Sequence, residues 1–385
     1  QRPAVLGMEA APATIAGASR LRILRTVTLP MVLPSIAAGM LIVFIKAIGD
    51  FGVPSILGGE YQVLPTLIYY QIHGFFNLNA ASAIAMVNVA LTILAIAVLA
   101  WINRRRSIAT LTGTARSAAR AMSPGPRLVA IAYVWLILLI ANLPQLVVIL
   151  YSFSERWGDT LLPSVYGLEN YRRVLGELPT VVANTVILAG SATLICLVFG
   201  AVTAHATTRG RIFGRWAVDV IIMVPFVLPG LVIGVAYLVA FNEGPLVLTG
   251  TAAILVLAYF TRRVAFVFRA ASAAIAQIDT KLEEASAICG AEWSTTMRRV
   301  TLPLIAPALL AGGILVFATL IGEISVTVLL YSAKWKTITI AIYEYLLGND
   351  IAKASALGTI TIVLTLVLVA GASRLAGRNM ADMFR

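Results

Sequence analysis

Apolar residues along this chain gather into long blocks, separated by shorter stretches that collect Lys, Arg, Pro and Gly. Eight such blocks run at about 31–49, 82–101, 128–150, 181–205, 217–241, 246–262, 303–321 and 354–372. A helix needs roughly 20 apolar residues to cross the hydrocarbon layer. In lipid only helices and closed barrels satisfy their own backbone polar groups, and these blocks lack the apolar–polar alternation of barrel strands. The pattern therefore predicts an all-α, polytopic helical membrane protein with eight spans.

Composition agrees: 60% of the 385 residues are hydrophobic and 12% are charged, where a soluble domain carries about a quarter charged. The net charge of +12 would raise nucleic acid as a partner on a soluble chain. Here the basic residues are scattered between apolar spans, as the positive-inside rule requires of a membrane protein. With residue 1 in the cytoplasm, segments 1–29, 102–127, 206–216, 262–302 and 373–385 are cytoplasmic and hold 22 of the 29 Lys and Arg. The two Cys (Cys196, Cys289) and two His (His73, His205) stand in no metal-ligand spacing, so neither a metal nor a cofactor is expected. No GxxxxGK[ST] phosphate loop occurs and no nucleophile–base arrangement stands out, so the chain reads as a non-enzymatic subunit. It opens on Gln1 without a signal peptide, and its first thirty residues read as an internal loop. The native chain is expected to extend upstream.

An internal repeat organises the rest. Residues 17–83 match 290–356 at a constant offset of 273, without a gap. Gly17-Ala18 falls on Gly290-Ala291, Val27-Thr28-Leu29-Pro30 on Val300-Thr301-Leu302-Pro303, Gly49-Asp50 on Gly322-Glu323, and Ala81-Ser82-Ala83 on Ala354-Ser355-Ala356. Six predicted spans separate Pro30 from Pro303, and an even number gives both copies one orientation, unlike the inverted repeats of many secondary transporters. The chain thus divides into 1–102, the C-terminal part of a first module with a cytoplasmic loop and two spans; 103–127, a basic cytoplasmic linker; and 128–385, a second module of six spans whose equivalent loop is 275–302.

That loop, KLEEASAICGAEWSTTMRRVTLP, predicts a short helix over 281–289, ended by Gly290, and a new helix with Pro303 in its first turn. Glu284, Ala285, Ser286, Gly290, Leu302 and Pro303 stand at the spacing of the Glu-Ala-Ala loop of ABC-importer permeases, which the chain resembles. The run FGVPSILGG, together with the two-module fusion, resembles permeases of ferric-iron importers. The resemblance implies the ABC-importer permease fold in a bacterial inner membrane, two cytoplasmic ATPase subunits and an extracytoplasmic solute-binding protein as partners, and ferric iron as the solute. Thiamine, phosphonate and polyamine importers share the architecture and remain open. An ion-gradient-driven secondary transporter is the alternative class, and the parallel repeat weighs against it. The resemblance further implies that Glu284, Ala285, Ser286, Gly290 and Ala291, with Gly17 and Ala18 of the first copy, contact the ATPase as a helix in a groove. The first copy departs from the motif, with Ala11 in the Glu position. Asp50 and Glu323, equivalent residues after equivalent spans, are candidates for lining the external mouth of the pathway.

Overall fold

The computed structural model describes residues 19, 22, 25, 26, 29–105, 124–158, 160, 162–210 and 214–383. These fall into two compact units, one within 1–48 and 89–145, the other within 49–88 and 146–385. In chain order the helices are α1 (Leu29–Ile48), α2 (Gly52–Leu57), α3 (Leu64–His73), α4 (Leu78–Arg105) and α5 (Pro124–Ser152). A two-stranded antiparallel ribbon follows, β1 (Ser154–Arg156) with β2 (Val165–Tyr166). Then come α6 (Glu169–Val174), α7 (Leu178–Arg209), α8 (Arg215–Val227), α9 (Gly230–Phe241) and α10 (Ala252–Ile275). The chain continues with α11 (Thr280–Ile288), α12 (Trp293–Thr296), α13 (Leu302–Ile321), α14 (Thr327–Leu330), α15 (Ile338–Leu347) and α16 (Ile351–Met383).

Five described helices are long and apolar enough to cross a membrane, namely Leu78–Val98, Arg127–Ser152, Leu178–Arg209, Trp293–Ile321 and Ile351–Gly371, and the bent pair α8–α9 makes a sixth if counted as one span. Two expectations are corrected. The block 217–241 is not one straight span: it breaks between α8 and α9 with a bend of 109°. Pro225 and Pro229 flank the break, and Leu228 turns to extended backbone, because proline removes a helical hydrogen bond and disfavours helix in the residue before it. The helix of the block 246–262 starts later and runs further, as α10 from Ala252 to Ile275, with Arg262 and Arg263 in mid-helix and not at its end. Three arginines (Arg262, Arg263, Arg269) set α10 apart from the purely apolar helices.

The larger unit is built around α7, α10 and α13. Lipid gives helices no hydrophobic incentive to associate, so close van der Waals packing of small residues does the work. A Cβ on Gly200 would lie 2.9 Å from Val267 Cγ1 and 3.2 Å from the Phe268 backbone nitrogen, and one on Gly313 3.0 Å from Leu197 Cδ2. The apolar interior of these helices includes Leu188, Ala192, Val267, Phe268 and Val316. Threonines inside α7 return their hydroxyls to the preceding turn: Thr185 to the Val181 carbonyl at 2.6 Å and Thr193 to Ala189 at 2.7 Å. This satisfies them without a partner helix.

At the opposite end of the unit from the α7–α8 connection, α7 is tied to the segment before α15. Asn184 donates to the carbonyls of Lys334 and Lys336, both at 2.9 Å, and the Thr185 hydroxyl accepts from the Ile338 amide at 2.9 Å. Lys336 bridges Glu177 and Glu344. Burial would raise the Glu177 pKa, but the hydrogen bonds from Lys336 and Tyr345 outweigh it and hold the carboxyl below its ordinary value. Burial would lower Lys336, and its two carboxylate partners instead hold it above the usual lysine value.

The two sequence copies repeat a local geometry within this unit. The Asp50 carboxylate accepts from the Val53 amide at 3.4 Å, and the Glu323 carboxylate accepts from the Val326 amide at 3.3 Å.

Candidate functional site

The loop singled out in the sequence is a helix with both ends closed. Asp279 caps α11, its side chain accepting from the Lys281 amide at 3.0 Å. At the far end Gly290 adopts φ +79°. Its amide donates to the Ala287 carbonyl at 2.9 Å, and the Ala291 amide donates to Ser286 at 3.1 Å. That pair of bonds around a left-handed residue is the Schellman motif. A β-carbon on Gly290 would meet nothing within 4 Å.

The residues expected to dock divide by side. Glu284, Ala285 and Gly290 are exposed, alongside Leu282 and Ile288, the latter 86% exposed. Ser286 turns inward, its hydroxyl sharing a 2.9 Å hydrogen bond with that of Thr296, and Ala291 is half-buried. Gly17 and Ala18 lie outside the described residues.

Sequence reading missed what holds α11 in place. Glu283, one residue before the motif carboxylate, accepts from the Thr301 hydroxyl at 2.9 Å and stands 3.6 Å from both Arg209 Nε and His205 Nε2. Arg209 also donates through Nη2 to the carbonyls of Ile275 (3.0 Å) and Ile278 (2.5 Å), at the end of α10. The His205 ring meets Trp293 edge-on at 5.9 Å. One carboxylate thus joins α11 to the last turns of α7 and the start of α13, and one guanidinium adds the end of α10. His205 and Glu283 are 78 residues apart in sequence, too far for local spacing to pair them. The one local signal was the Glu283-Glu284 doublet, whose members point about 100° apart around a helix.

Glu323, the second-copy counterpart of Asp50, is buried among charged partners. It is 6% exposed and lies 2.7 Å from both Arg262 Nη1 and Arg263 Nη2. Its backbone carbonyl accepts from the hydroxyls of Thr327 (2.8 Å) and Thr339 (3.1 Å), and Thr327 shares a 2.6 Å hydrogen bond with the buried Tyr259. Asp50 is half-buried. Among the described residues no group of three or more His, Cys, Asp or Glu is placed to hold a metal.

Cys289 is exposed beside Gly290, and Cys196 is buried. Of these two cysteines, Cys289 is therefore expected to react with an impermeant maleimide, in inside-out vesicles and not in intact cells. Labelling from the outside would reverse the orientation drawn from the basic loops.

The comparisons with known proteins bear on this arrangement. The family described as "Binding-protein-dependent transport system inner membrane component" matches residues 10–108 and 196–379. The ferric transport system permease protein FbpB of Actinobacillus pleuropneumoniae is 29% identical over 91% of this chain and 52% of its own length. A putative ferric transport system permease, FbpB 1 of Haemophilus influenzae, is 31% identical over 82% of this chain and 51% of its own. The chain thus spans about half the length of these relatives. A putative 2-aminoethylphosphonate transport system permease, PhnV of Salmonella typhi, is 30% identical over 61% of this chain and 90% of its own length. Among solved structures, a chain of a bacterial alginate ABC transporter in complex with a pentasaccharide-bound periplasmic protein superposes with a TM-score of 0.54 at 19% identity, over 66% of this chain and 94% of that one, which is a likeness of fold. With the family matched over most of its length and its helices arranged as in a solved transporter, the chain belongs to the family of binding-protein-dependent transport system inner membrane components.

Proposed function

We propose that the chain is the membrane-spanning part of an ATP-driven importer, and that it passes a small solute delivered by a binding protein outside the membrane. The observation that carries this reading is α11, which presents Glu284, Ala285, Gly290 and Ile288 outward while Glu283 pins its other side to α7 and α13. A helix exposed on one face and anchored on the other suits the transfer of motion from a partner that grips it. The partners are two cytoplasmic ATPase subunits, which supply the ATP chemistry this chain lacks. The two sequence copies are read as parallel modules, with residues 1–102 the end of the first, 103–127 a linker and 128–385 the second. That a relative is covered over 90% of its own length by 61% of this chain supports a separate unit of about that size.

Ferric iron is the first solute reading, because relatives matched over most of this chain are named ferric transport permeases. A phosphonate is the second, on the names of the shorter relatives. The test is uptake by full-length permease reconstituted into liposomes with its ATPase and binding protein. ATP-dependent accumulation of ferric iron, and none of 2-aminoethylphosphonate, is expected. Accumulation of the phosphonate alone would transfer the solute assignment. Uptake driven by an ion gradient without ATP would overturn the importer reading.

A further inference from the structure

The Arg262–Arg263–Glu323 cluster holds more positive charge than it neutralises. Adjacent arginines on α10 converge on one carboxylate oxygen, each at 2.7 Å. Glu323 is the one carboxylate paired with either arginine among the described residues. Arg262 is 8% exposed. The Nε atoms of both arginines are buried without a hydrogen-bond partner, and the Arg262 Nη1 contact with Glu323 lacks hydrogen-bond geometry. Buried guanidinium groups normally have their donors satisfied, since an unmade bond to a buried charged group costs more than a made one contributes. A further positive element adds to the imbalance. Gly230, the first residue of the twelve-residue helix α9, packs against Arg262: a β-carbon there would lie 2.8 Å from Nη1. The N-terminal end of a helix carries partial positive charge. Two guanidiniums therefore share one carboxylate, and the start of α9 lies beside Arg262.

The cluster also lies where the two sequence copies meet. A β-carbon on Gly49 would lie 2.9 Å from the Pro229 side chain, and one on Gly52 3.6 Å from Ile324 Cγ2, next to Glu323. All of these residues belong to one compact unit. In an importer of parallel modules, the solute passes between the copies.

We infer that Arg262 and Arg263 form an anion-recognition site on the solute pathway, at which a carboxylate or phosphonate oxygen of the cargo shares or replaces Glu323 on the guanidinium pair. This rests on the importer reading above and narrows it. A bare ferric ion is repelled by such a site, so iron would cross with anionic ligands attached, whereas an organic phosphonate fits directly. Arginine suits this task because its planar fork matches both oxyanions, and a second anion would satisfy the donors that Glu323 leaves open.

The test uses full-length permease purified in neutral detergent, with thermal unfolding followed in citrate, in inorganic phosphate and in chloride of matched ionic strength. An anion that binds the folded state raises Tm by mass action. Citrate or phosphate is expected to raise Tm of the wild type. Glu323→Gln, which removes the competing carboxylate, is expected to respond at roughly tenfold lower anion concentration. The Arg262→Gln/Arg263→Gln double variant is expected to lose the response. If the double variant fails to accumulate, Arg263→Gln alone carries the test, with a response weakened about tenfold or more. Two results overturn the inference: no anion response in either the wild type or Glu323→Gln, or an undiminished response in the arginine variants. The measurement needs neither ATP nor ATPase. The site can therefore fail while ATP-driven uptake stands, and anion binding can persist if uptake proves to need no ATP.

Discussion

Valine in place of Gly290 is expected to leave the full-length permease inserted in the membrane while abolishing transport and sharply reducing ATPase co-purification. The backbone there stands at φ +79°, a left-handed conformation that costs a residue with a β-carbon roughly 1–2 kcal/mol. Inside the chain the new side chain is harmless, because a β-carbon meets nothing within 4 Å. The strain falls on the two bonds that close α11, from Gly290 to Ala287 and from Ala291 to Ser286. The side chain itself projects into open space beside the exposed α11. The damage is therefore expected to stay at an exposed surface, the one proposed to meet the ATPase. Gly290→Asn separates the two contributions: asparagine tolerates the left-handed turn, so it should retain the helix end and lose binding only through its added bulk. A β-branched residue meets both penalties, and the order glycine, asparagine, valine in ATPase retention is expected. Wild-type coupling in Gly290→Val would remove the docking assignment. The matching change at Gly17 should do less, since the first copy lacks the motif carboxylate, with Ala11 in its place.

Hydropathy shows where lipid is, and it made the helical membrane class legible at once. The same measure hides what the lipid-facing pattern does not need. Glu323 stood out as the partner of Asp50 in the repeat, but the arginines that bury it did not. The positive-inside rule assigns arginines to loops, and Arg262 and Arg263 close an apolar block, so they read as the beginning of one. Inside the helix bundle they meet a carboxylate that follows α13, some sixty residues on. The α8–α9 break was written in Pro225 and Pro229, yet an unbroken apolar stretch of spanning length concealed it. The short helix α11 was the reverse case. Its limits were legible because capping is local: Asp279 at one end, Gly290 at the other, and Pro303 opening the next helix. Which of Glu283 and Glu284 faces outward is decided by residues of α7, on which local pattern is silent.

Arg209→Met is expected to uncouple the transporter rather than dismantle it. Wild-type Arg209 reaches Glu283 at 3.6 Å and the carbonyls of Ile275 and Ile278 at 3.0 and 2.5 Å, linking α11 to α7 and to the end of α10. Methionine preserves the apolar stem and removes every donor. Hydrogen bonds from charged groups contribute about 1.5–3 kcal/mol each, and about 1.4 kcal/mol corresponds to a tenfold change in an equilibrium. Losing the two carbonyl hydrogen bonds, together with the 3.6 Å ion pair to Glu283, therefore shifts the link between α11 and the bundle by at least roughly tenfold. The caps of α11 do not involve Arg209: Asp279 holds one end and the Gly290 turn the other. Its outward face should persist, so ATPase co-purification and basal ATP hydrolysis should stay within about twofold of wild type, while solute imported per ATP falls about tenfold or more. Arg209→Lys should recover part of the coupling, since one ammonium can meet Glu283 but lacks the fork that also spans two carbonyls. Gly290→Val loses the partner, whereas Arg209→Met keeps the partner and loses the work. Unchanged import per ATP in Arg209→Met would show that motion enters the bundle by another route, through Thr301 and α13. Loss of ATPase binding would show instead that Arg209 sets the docking surface and does not transmit from it.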